Sequence, residues 1–317
     1  LDLFCDILPV LRCDSAAHHP QQDFPFLMTS VFSTPFRRPW RAWAPVLGVP
    51  ALLAALLAPG PAQAQGRLTA TYEASLGGLV IGKGNWTVAI TEDAYSATVS
   101  GRTTGLLASI GGGSGTATAT GRMAAGQFVP ANYVTSILYG KKNETIRIAL
   151  AGGNVKESSI TPEPPVNPDR IPVTEAHRQG VIDPMTGSLL RVAGTGNPVG
   201  PDACRNRVSI FDGRMRYDLR LEYRRMENIT AGKGYKGYQG PAVVCTVFFT
   251  PVSGYVPDRF AIRYLAERRD MEITFAPIAG TRVLVPFRIK IPTPIGAGMV
   301  EAKEFTTAAA THTAKTN

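Results

Sequence analysis

The sequence contains few of the residues that bind metal ions. Its 317 residues include four histidines and four cysteines. Two cysteines and two histidines precede residue 20, and their spacing matches no standard zinc-ligand pattern. The remaining histidines are His177 and His312. A histidine-rich metal centre is therefore excluded, and we predict that the protein has no metal site and no cofactor.

Motifs for nucleophilic catalysis or nucleotide binding are also missing. In "GGSGT" the G-x-S-x-G pattern centred on Ser114 fails because Thr116 stands where the motif requires glycine. "GKGYKG" fits G-x-G-x-x-G but is followed by a candidate strand instead of a helix, so we interpret it as a hairpin loop. His177 lies in a proline-flanked stretch and is expected to be a solvated loop residue. We assign no catalytic residue and predict that the protein is not an enzyme.

No apolar run is long enough to predict a membrane-spanning helix. The run at residues 42–58 contains two prolines and is at the short edge of the roughly 20 residues that a bilayer requires. Three arginines precede it, and Ala62 and Ala64 follow it in the A-x-A arrangement. This order is typical of a cleavable secretory signal.

The predicted signal divides the chain into four parts. We expect residues 1–27 to be an over-extended gene start and residues 28–64 to be the signal peptide. The mature protein would then begin at Gln65 in the periplasm of a Gram-negative bacterium, with no transmembrane segment. Because its first residue would be Gln65 and not the cysteine that is lipidated in a bacterial lipoprotein, we also expect no lipid anchor. Residues 307–317 are predicted to be a disordered tail.

The charge of the chain is strongly basic, with a formal net charge of +9. The predicted extension and signal contain four acidic and four basic side chains, so the mature part keeps the full net charge of +9. An exported basic protein meets anionic lipid headgroups, lipopolysaccharide or acidic wall polymers, and we expect no nucleic-acid partner. Peripheral membrane contact is one interpretation, and a surface that is simply basic is the other.

Alternating polar and apolar residues run through the mature chain. The clearest case is "RMRYDLRLEYR", residues 214–224, which is typical of a long half-buried strand. The same alternation occurs in residues 67–76 and 282–291, where Pro286 indicates an edge or a bulge. Shorter candidate strands are residues 86–90, 95–100, 116–123, 133–138, 145–150, 243–249, 271–275 and 299–305.

Helical signals are few and short. Asp183 and Asp258 are predicted N-caps of two short helices. Residues 105–113 are predicted to form a single helical turn. The sequence therefore predicts an all-β fold with two or three short helices, built as a curved antiparallel half-barrel or β-spiral in a single domain, residues 65–306. The proline-rich stretch 161–172 is expected to cross within this domain, and a two-domain split there is the alternative.

Two cysteines remain after the predicted cleavage, Cys204 and Cys245. In an oxidising compartment they are expected to form one disulfide. A catalytic thiol is the alternative, but neither cysteine lies in a C-x-x-C motif.

The strand at residues 214–224 is the best candidate for a binding surface. Its apolar face is either ordinary core or the lining of an apolar ligand cavity, and consists of Met215, Tyr217, Leu219, Leu221 and Tyr223. Its arginines, including Arg214 and Arg216, would hold headgroups at the rim of such a cavity, or would form cross-strand charge pairs on a solvated face.

Three stretches of the second half resemble a known family. They are "CRNRVSIFDGRMRYDL", "YQGPAVVCTVFFTPVSGY" and "FAPIAGTRVLVPFRIKIPTPIGAGMVEAKEF". Together with "TGLLASIGGGSGTATATGR" and "GVIDPMTGSLL" they look like the uncharacterised proteobacterial family Domain of Unknown Function 3108. The resemblance covers residues 68–306 and implies a fold similar to the periplasmic lipoprotein-carrier (LolA/LolB-like) half-barrels. It supplies no catalytic residue.

Two function hypotheses follow from these observations. The first is a periplasmic half-barrel that binds a lipid, an acyl chain or another amphiphilic envelope component. The second is a non-catalytic interaction or scaffold module for envelope proteins, whose concave apolar face is filled by its own helices. A cavity of several hundred Å3 favours the first hypothesis, and its absence favours the second.

Overall fold

The computed structural model describes residues 65–109 and 112–309. The predicted upstream extension, the predicted signal peptide and the last eight residues lie outside this part of the chain. The predicted boundary at residue 306 falls inside a strand that continues to Ala309.

The first seven strands form an antiparallel meander in which each strand pairs with the next. Several extend beyond the predicted segments: β2 also includes residues 79–85, and β5 also includes residues 127–132. The strands are β1 (Gly66–Leu76), β2 (Leu79–Ile90), β3 (Ala94–Thr103), β4 (Gly113–Ala124), β5 (Gln127–Tyr139), β6 (Lys142–Ala151) and β7 (Asn154–Thr161).

The second half of the chain extends the same sheet from the free edge of β1. The last strand pairs with β1, and the order then runs backwards along the chain to β9. These strands are β8 (Leu190–Arg191), β9 (Arg207–Phe211), β10 (Arg216–Ile229), β11 (Lys236–Gly237), β12 (Gly240–Ser253), β13 (Met271–Pro277), β14 (Val283–Thr293) and β15 (Gly296–Ala309). The result is a single open, curved, fifteen-stranded sheet, which confirms the predicted all-β half-barrel.

The helices are short. They are α1 (Leu106–Ser109), α2 (Pro184–Gly187) and α3 (Phe260–Glu267), with 3-10 turns at Glu175–Arg178 and Pro201–Cys204. The prediction that Asp183 caps α2 is confirmed, because its side chain accepts from the Thr186 amide at 2.9 Å. The prediction for Asp258 is wrong: α3 begins one residue later, and Arg259 is its N-cap residue.

Pro286 lies where the sheet is irregular, as predicted. The β13–β14 register shifts between Thr274 and Phe275, and Phe275 then pairs with Pro286. Strand β15 pairs with β14 only beyond this point, from Arg288 onward. The missing amide of proline therefore costs no ladder hydrogen bond with β15.

The two outer parts of the sheet approach each other through the segment that follows β7. The Val181 amide donates to the Gly153 carbonyl at 2.8 Å, and the Ile182 amide donates to Ser209 at 2.9 Å. Residues 181–182 thus bridge the β6–β7 turn and β9. Arg214, in the β9–β10 turn, forms an ion pair with Glu144 of β6.

The main core lies on the apolar side of the meander. There the alternation of β1 becomes alternate burial, with Leu68 and Ala70 buried and Arg67 and Thr69 exposed. Strand β12 differs from the expected one-sided pattern, because residues 242–247 are all buried. Residues 190–204 cover one of its faces and form a second core cluster around the disulfide between Cys204 and Cys245.

Candidate functional site

The half-barrel contains a cavity of about 300 Å3. Strands β5 and β6 provide one wall and strands β10, β12, β13 and β14 provide the other, with α3 beside them. The lining is mostly aliphatic and aromatic, as in sites for apolar ligands. It includes Tyr133, Ile137, Ile146, Met215, Tyr217, Leu219, Val247, Phe249, Ile262, Leu265, Ile273 and Ile289.

Strand β10 and the residue before it contribute three of the five predicted apolar binding residues to this cavity. Met215, Tyr217 and Leu219 line it. Leu221 lines an adjoining cavity of about 360 Å3. Tyr223 is 45% exposed, because β9 does not extend alongside this part of β10. The alternation correctly predicted that the apolar side chains from Met215 to Leu221 face the interior of the half-barrel. Which of the five residues is shielded from solvent depends on the neighbouring elements.

The two predicted arginines have different surroundings. Arg214 lines the cavity and pairs with Glu144, which lines it as well. Arg216 pairs with Asp218, and Ser209 also donates to Asp218 at 2.9 Å. Arg214 therefore presents a charge to the cavity, whereas Arg216 takes part in a charge cluster along β9 and β10.

The remaining arginines of β10 form the charge pairs that the alternative interpretation predicted. Arg224 and Arg225 both pair with Glu272 of β13, at 2.6 and 3.1 Å. Arg220 pairs with Glu222 on its own strand and stacks over Phe248, with 4.0 Å between the guanidinium carbon and the ring centroid. The three arginine side chains are 39–47% exposed, so these pairs lie at the solvated surface of the sheet.

The two cavities adjoin inside the half-barrel. Both are lined by Pro184, Tyr217, Leu219, Ile273 and Ile289. Tyr217 and Leu219 consequently stand at the junction between them, so a ligand chain longer than one cavity would have to pass these two side chains.

Sequence reasoning missed two arginines that line the first cavity. Arg170 comes from the proline-rich connector and Arg259 from the start of α3. The connector is held there by two hydrogen bonds, since Ile171 donates to Tyr255 and Gly254 donates to Ile171. Its proline content predicted an extended segment, but no local pattern shows which surface an extended segment will cover.

A buried polar chain lies beside the junction. The Thr186 hydroxyl donates to Asp183 at 2.6 Å and is 2.7 Å from the Tyr95 hydroxyl. Burial raises the pKa of the Asp183 carboxyl above its ordinary value, although the hydrogen bonds from Thr186 act in the opposite direction.

Two of the three tyrosines that line the cavity, Tyr133 and Tyr217, are neutral at ordinary pH. Burial raises the pKa of both Tyr133 and Tyr217, and the nearby Asp212 and Asp183 carboxylates raise them further. Each tyrosine therefore offers the cavity a hydroxyl group on an apolar ring instead of a negative charge.

A second, polar groove of about 820 Å3 lies across strands β1 to β6. It is open and lined largely by Ser, Thr, Asn and Gly, and it contains Ser114. His177 lies in the 3-10 turn at Glu175–Arg178, where its Nδ1 is 3.1 Å from the Thr174 amide nitrogen.

No group of three or more His, Cys, Asp or Glu side chains in residues 65–109 and 112–309 could hold a metal ion. Within the same residues, no helix is both long and apolar enough to cross a bilayer.

Comparison with known proteins identifies a family. Among solved structures the chain is similar to a β-barrel-like protein of the domain of unknown function DUF1849 from Brucella abortus, with 9% identity, a TM-score of 0.40, and coverage of 78% of this chain and 99% of that one. It is also similar to a "putative lipoprotein" from Parabacteroides distasonis, with 10% identity, a TM-score of 0.26, and coverage of 77% and 96%. No curated protein matches. Residues 71–303, most of the sequence, match the model "Protein of unknown function (DUF3108)". The chain therefore belongs to this family of unknown function, DUF3108.

Proposed function

We propose that this protein is exported to the periplasm, where it binds an amphiphilic envelope component, a lipid or an acyl chain, in the half-barrel. The observation that carries the proposal is the apolar cavity of about 300 Å3 with its adjoining cavity of about 360 Å3. Ligand pockets for small apolar molecules start at about this size. A fully packed interior would have favoured the scaffold hypothesis instead.

The distribution of polar groups agrees with an amphiphile. Besides its aliphatic and aromatic side chains, the first cavity is lined by four cationic residues, Arg170, Arg214, Arg259 and Lys290, and by three acidic residues, Glu144, Asp212 and Glu272. An acyl chain would lie against Met215 and Leu219, and an anionic headgroup would lie among the arginines. Guanidinium groups bind phosphate or carboxylate through paired hydrogen bonds.

The proposed binder is not an enzyme. Ser114 lies in the polar groove of the meander, and the His177 ring bonds within its own 3-10 turn. These positions support the proposal that neither side chain is catalytic. Turnover of an ester or glycan substrate that is lost in both Ser114→Ala and His177→Ala would refute this part of the proposal.

Export is supported by the disulfide, because structural disulfides persist in oxidising compartments. If the signal is cleaved as proposed, the protein isolated from a bacterial periplasm will have the mass of residues 65–317. An intact mass that includes the preceding residues would contradict cleavage at this point.

Native mass spectrometry with lipid extraction tests ligand binding directly. Protein purified from the periplasm is expected to carry a stoichiometric lipid or fatty acid. Leu219→Trp should abolish this added mass, because the indole fills the junction of the two cavities. Tyr223→Trp is the matched control, since it adds an indole on the same strand at an exposed position.

Each outcome of this experiment decides between the hypotheses. A lipid on the wild type and the control but not on Leu219→Trp supports the cavity as the site. A clean apo mass after incubation with envelope lipids would contradict lipid binding and favour the interaction module.

A further inference from the structure

The antiparallel registers place several connections at the same end of the sheet. Leu76 pairs with Leu79 on one side and with Gly298 on the other, so the β1–β2 and β14–β15 turns are neighbours. The Gly77 amide donates to the Ala297 carbonyl at 3.0 Å and joins the two turns. The β3–β4 and β5–β6 connections lie at this end too. We call it the apolar end.

Large aliphatic side chains are exposed on the joined turns. Leu79 is 74% exposed, Val80 is 44% exposed and Ile295 is 65% exposed. Leu79 and Ile295 are more exposed than any mid-strand aliphatic residue in the described chain, and exposed apolar groups that cluster are a sign of an interaction site.

These turns also lack charge. No charged residue occurs in residues 74–82, in residues 291–300 or in residues 103–121, which include the β3–β4 connection. Other connections at this end do carry charge: Lys141 and Lys142 are exposed in and beside the β5–β6 turn, and the β12–β13 connection contains four arginines and three acidic residues. The joined turns are therefore an uncharged tip, and the charged connections on either side of it have an excess of basic residues.

The opposite end of the sheet has a different character. Its connections carry Glu92, Asp93, Lys233 and Arg282. None of the described residues in those connections is a large exposed apolar side chain. Among the described turns between strands, the exposed aliphatic side chains thus occur at one end of the sheet.

The first cavity lies toward the apolar end. Its lining includes Asp212 and Met215 from the β9–β10 turn, and Tyr255 and Arg259 from the β12–β13 connection. The registers of β9, β10 and β12 place both connections at the apolar end. An amphiphile that leaves a bilayer at this end would therefore have a short path to the cavity.

We propose that the apolar end docks on an anionic lipid bilayer. Leu79, Val80 and Ile295 insert into the interface, and Lys141 and Lys142 contact the headgroup phosphates. The proposal rests on the proposed function in that it names the surface from which the amphiphile is taken or to which it is delivered. A bilayer fits better than a protein partner, because single aliphatic side chains on turn tips offer depth of insertion but little flat area for an interface.

The test uses flotation of the periplasm-purified protein with vesicles of phosphatidylcholine containing phosphatidylglycerol. The wild type is expected to float with them. Leu79→Ser combined with Ile295→Ser should lower the partition coefficient at least about tenfold, since two large aliphatic side chains lose their apolar burial. Tyr223→Ser combined with Met226→Ser is the matched control, because it removes two exposed apolar residues of β10 and should change the coefficient less than about twofold.

Charge reversal tests the proposed contact between the lysines and the headgroup phosphates separately. Lys141→Glu combined with Lys142→Glu should weaken binding to the anionic vesicles about tenfold or more, and high salt should remove this difference. Lys233→Glu combined with Lys236→Glu makes the same change of charge at the opposite end, and should have a smaller effect.

Three results would overturn the docking proposal. The first is absence of wild-type flotation, and the second is an equal loss of flotation in the turn variant and its control. The third is a loss of self-association in the turn variant, which would assign the tip to a second copy of this chain.

Uptake of a fluorescent acyl probe from solution tests the cavity proposal independently of the docking proposal. The turn variant should bind the probe normally, and a wild type that floats but takes up no probe would contradict the cavity proposal alone.

Discussion

Gly254 occupies a position that only glycine can fill. Its φ of +78° lies in the left-handed region, and a Cβ there would be 1.8 Å from the Arg214 carbonyl oxygen. The close approach lets the β12–β13 connection pass the β9–β10 turn, and the Gly254 amide also holds the connector at Ile171. One residue thus positions three segments that line or border the cavity.

Gly254→Ala should therefore be severely destabilising. We expect a loss of at least about 3 kcal/mol in the free energy of unfolding, because both the backbone and its neighbour must move. Gly152→Ala is the control: its φ is +60°, nothing lies within 4 Å of its Cβ position, and it should lose about 1 kcal/mol. Urea denaturation of the two variants measures the difference, and equal losses would show that the contact with Arg214 relaxes easily.

Asp183 predicts a dependence of stability on pH. Burial raises the pKa of its carboxyl in the folded protein above the ordinary unfolded value of about 4. Between these two pKa values the folded state binds more protons than the unfolded state. The contribution of Asp183 to stability therefore falls as the pH rises above about 4, and it stops falling above the folded pKa.

Asp183→Asn removes this titration and keeps an acceptor for the Thr186 amide. We expect the stability of the variant relative to the wild type to increase between pH 4 and neutral pH, as measured by urea denaturation at closely spaced pH values. Asp202→Asn, at an exposed acid in the 3-10 turn at Pro201–Cys204, should leave the profile unchanged. Parallel profiles for Asp183→Asn and the wild type would contradict the assigned direction of the pKa shift.

At the scale of elements, the disulfide attaches the turn Pro201–Cys204 to the centre of β12. The two cysteines are separated by 41 positions along the chain. The turn and residues 190–199 cover one face of β12, β13 and β14, and this cover makes β12 buried on both sides. The crosslink therefore maintains the second core cluster.

Replacement of both cysteines by alanine should lower the free energy of unfolding by about 4 kcal/mol on the loop-entropy estimate. The loss is expected to appear in urea denaturation of the Cys204→Ala, Cys245→Ala protein. The oxidised wild type treated with a reductant should lose a similar amount. A double variant as stable as the oxidised wild type would show that the cover is held by its apolar contacts alone.

Strand β10 shows how one element changes role along its length. Its first part pairs with β9 and β12, whereas its second part pairs only with β12 in the described sheet. Residues 222–226 are accordingly exposed, and several carry charge. Charged side chains on an exposed edge discourage pairing with another chain.

At the scale of the whole molecule, a ligand in the cavity should stabilise the fold. A ligand that binds only the folded state and is present at a hundred times its Kd adds about 2.7 kcal/mol. For a protein of this size, that raises the Tm by about 5 °C or more. We expect dodecanoate to produce such a rise in the wild type and in Tyr223→Trp, as measured by thermal unfolding.

Leu219→Trp should show no rise at the same dodecanoate concentration. Because the indole fills the junction between the cavities, its own Tm without ligand should be close to that of the wild type. A similar rise in Leu219→Trp would place the ligand elsewhere, with the polar groove of the meander as the next site to test.

The strands were largely predictable because their signal is local. Alternate burial requires alternate polarity, so β1, β10 and β14 appear in the sequence as period-two patterns. Asp183 was predictable as an N-cap for the same reason, since a cap and its helix are neighbours in the chain. Strand β7, "NVKESSIT", was missed because its outward side chains are polar and its apolar positions are few.

The candidate site was only partly predictable. Met215, Tyr217 and Leu219 could be identified as an inward face from the alternation of β10. Arg170 and Arg259 could not, because they reach the cavity from a connector and a helix end that are distant in sequence.

The sequence by itself determined the all-β class, the disulfide partners and the apolar face of β10, because polarity at alternate positions and the number of available cysteines are properties of the chain alone. Only the tertiary structure decided that Tyr223 is exposed while Tyr217 faces a cavity, and that Leu79 and Ile295 stand together at one end. Both outcomes depend on which distant strands pair and where each pairing stops, and those contacts have no local signature.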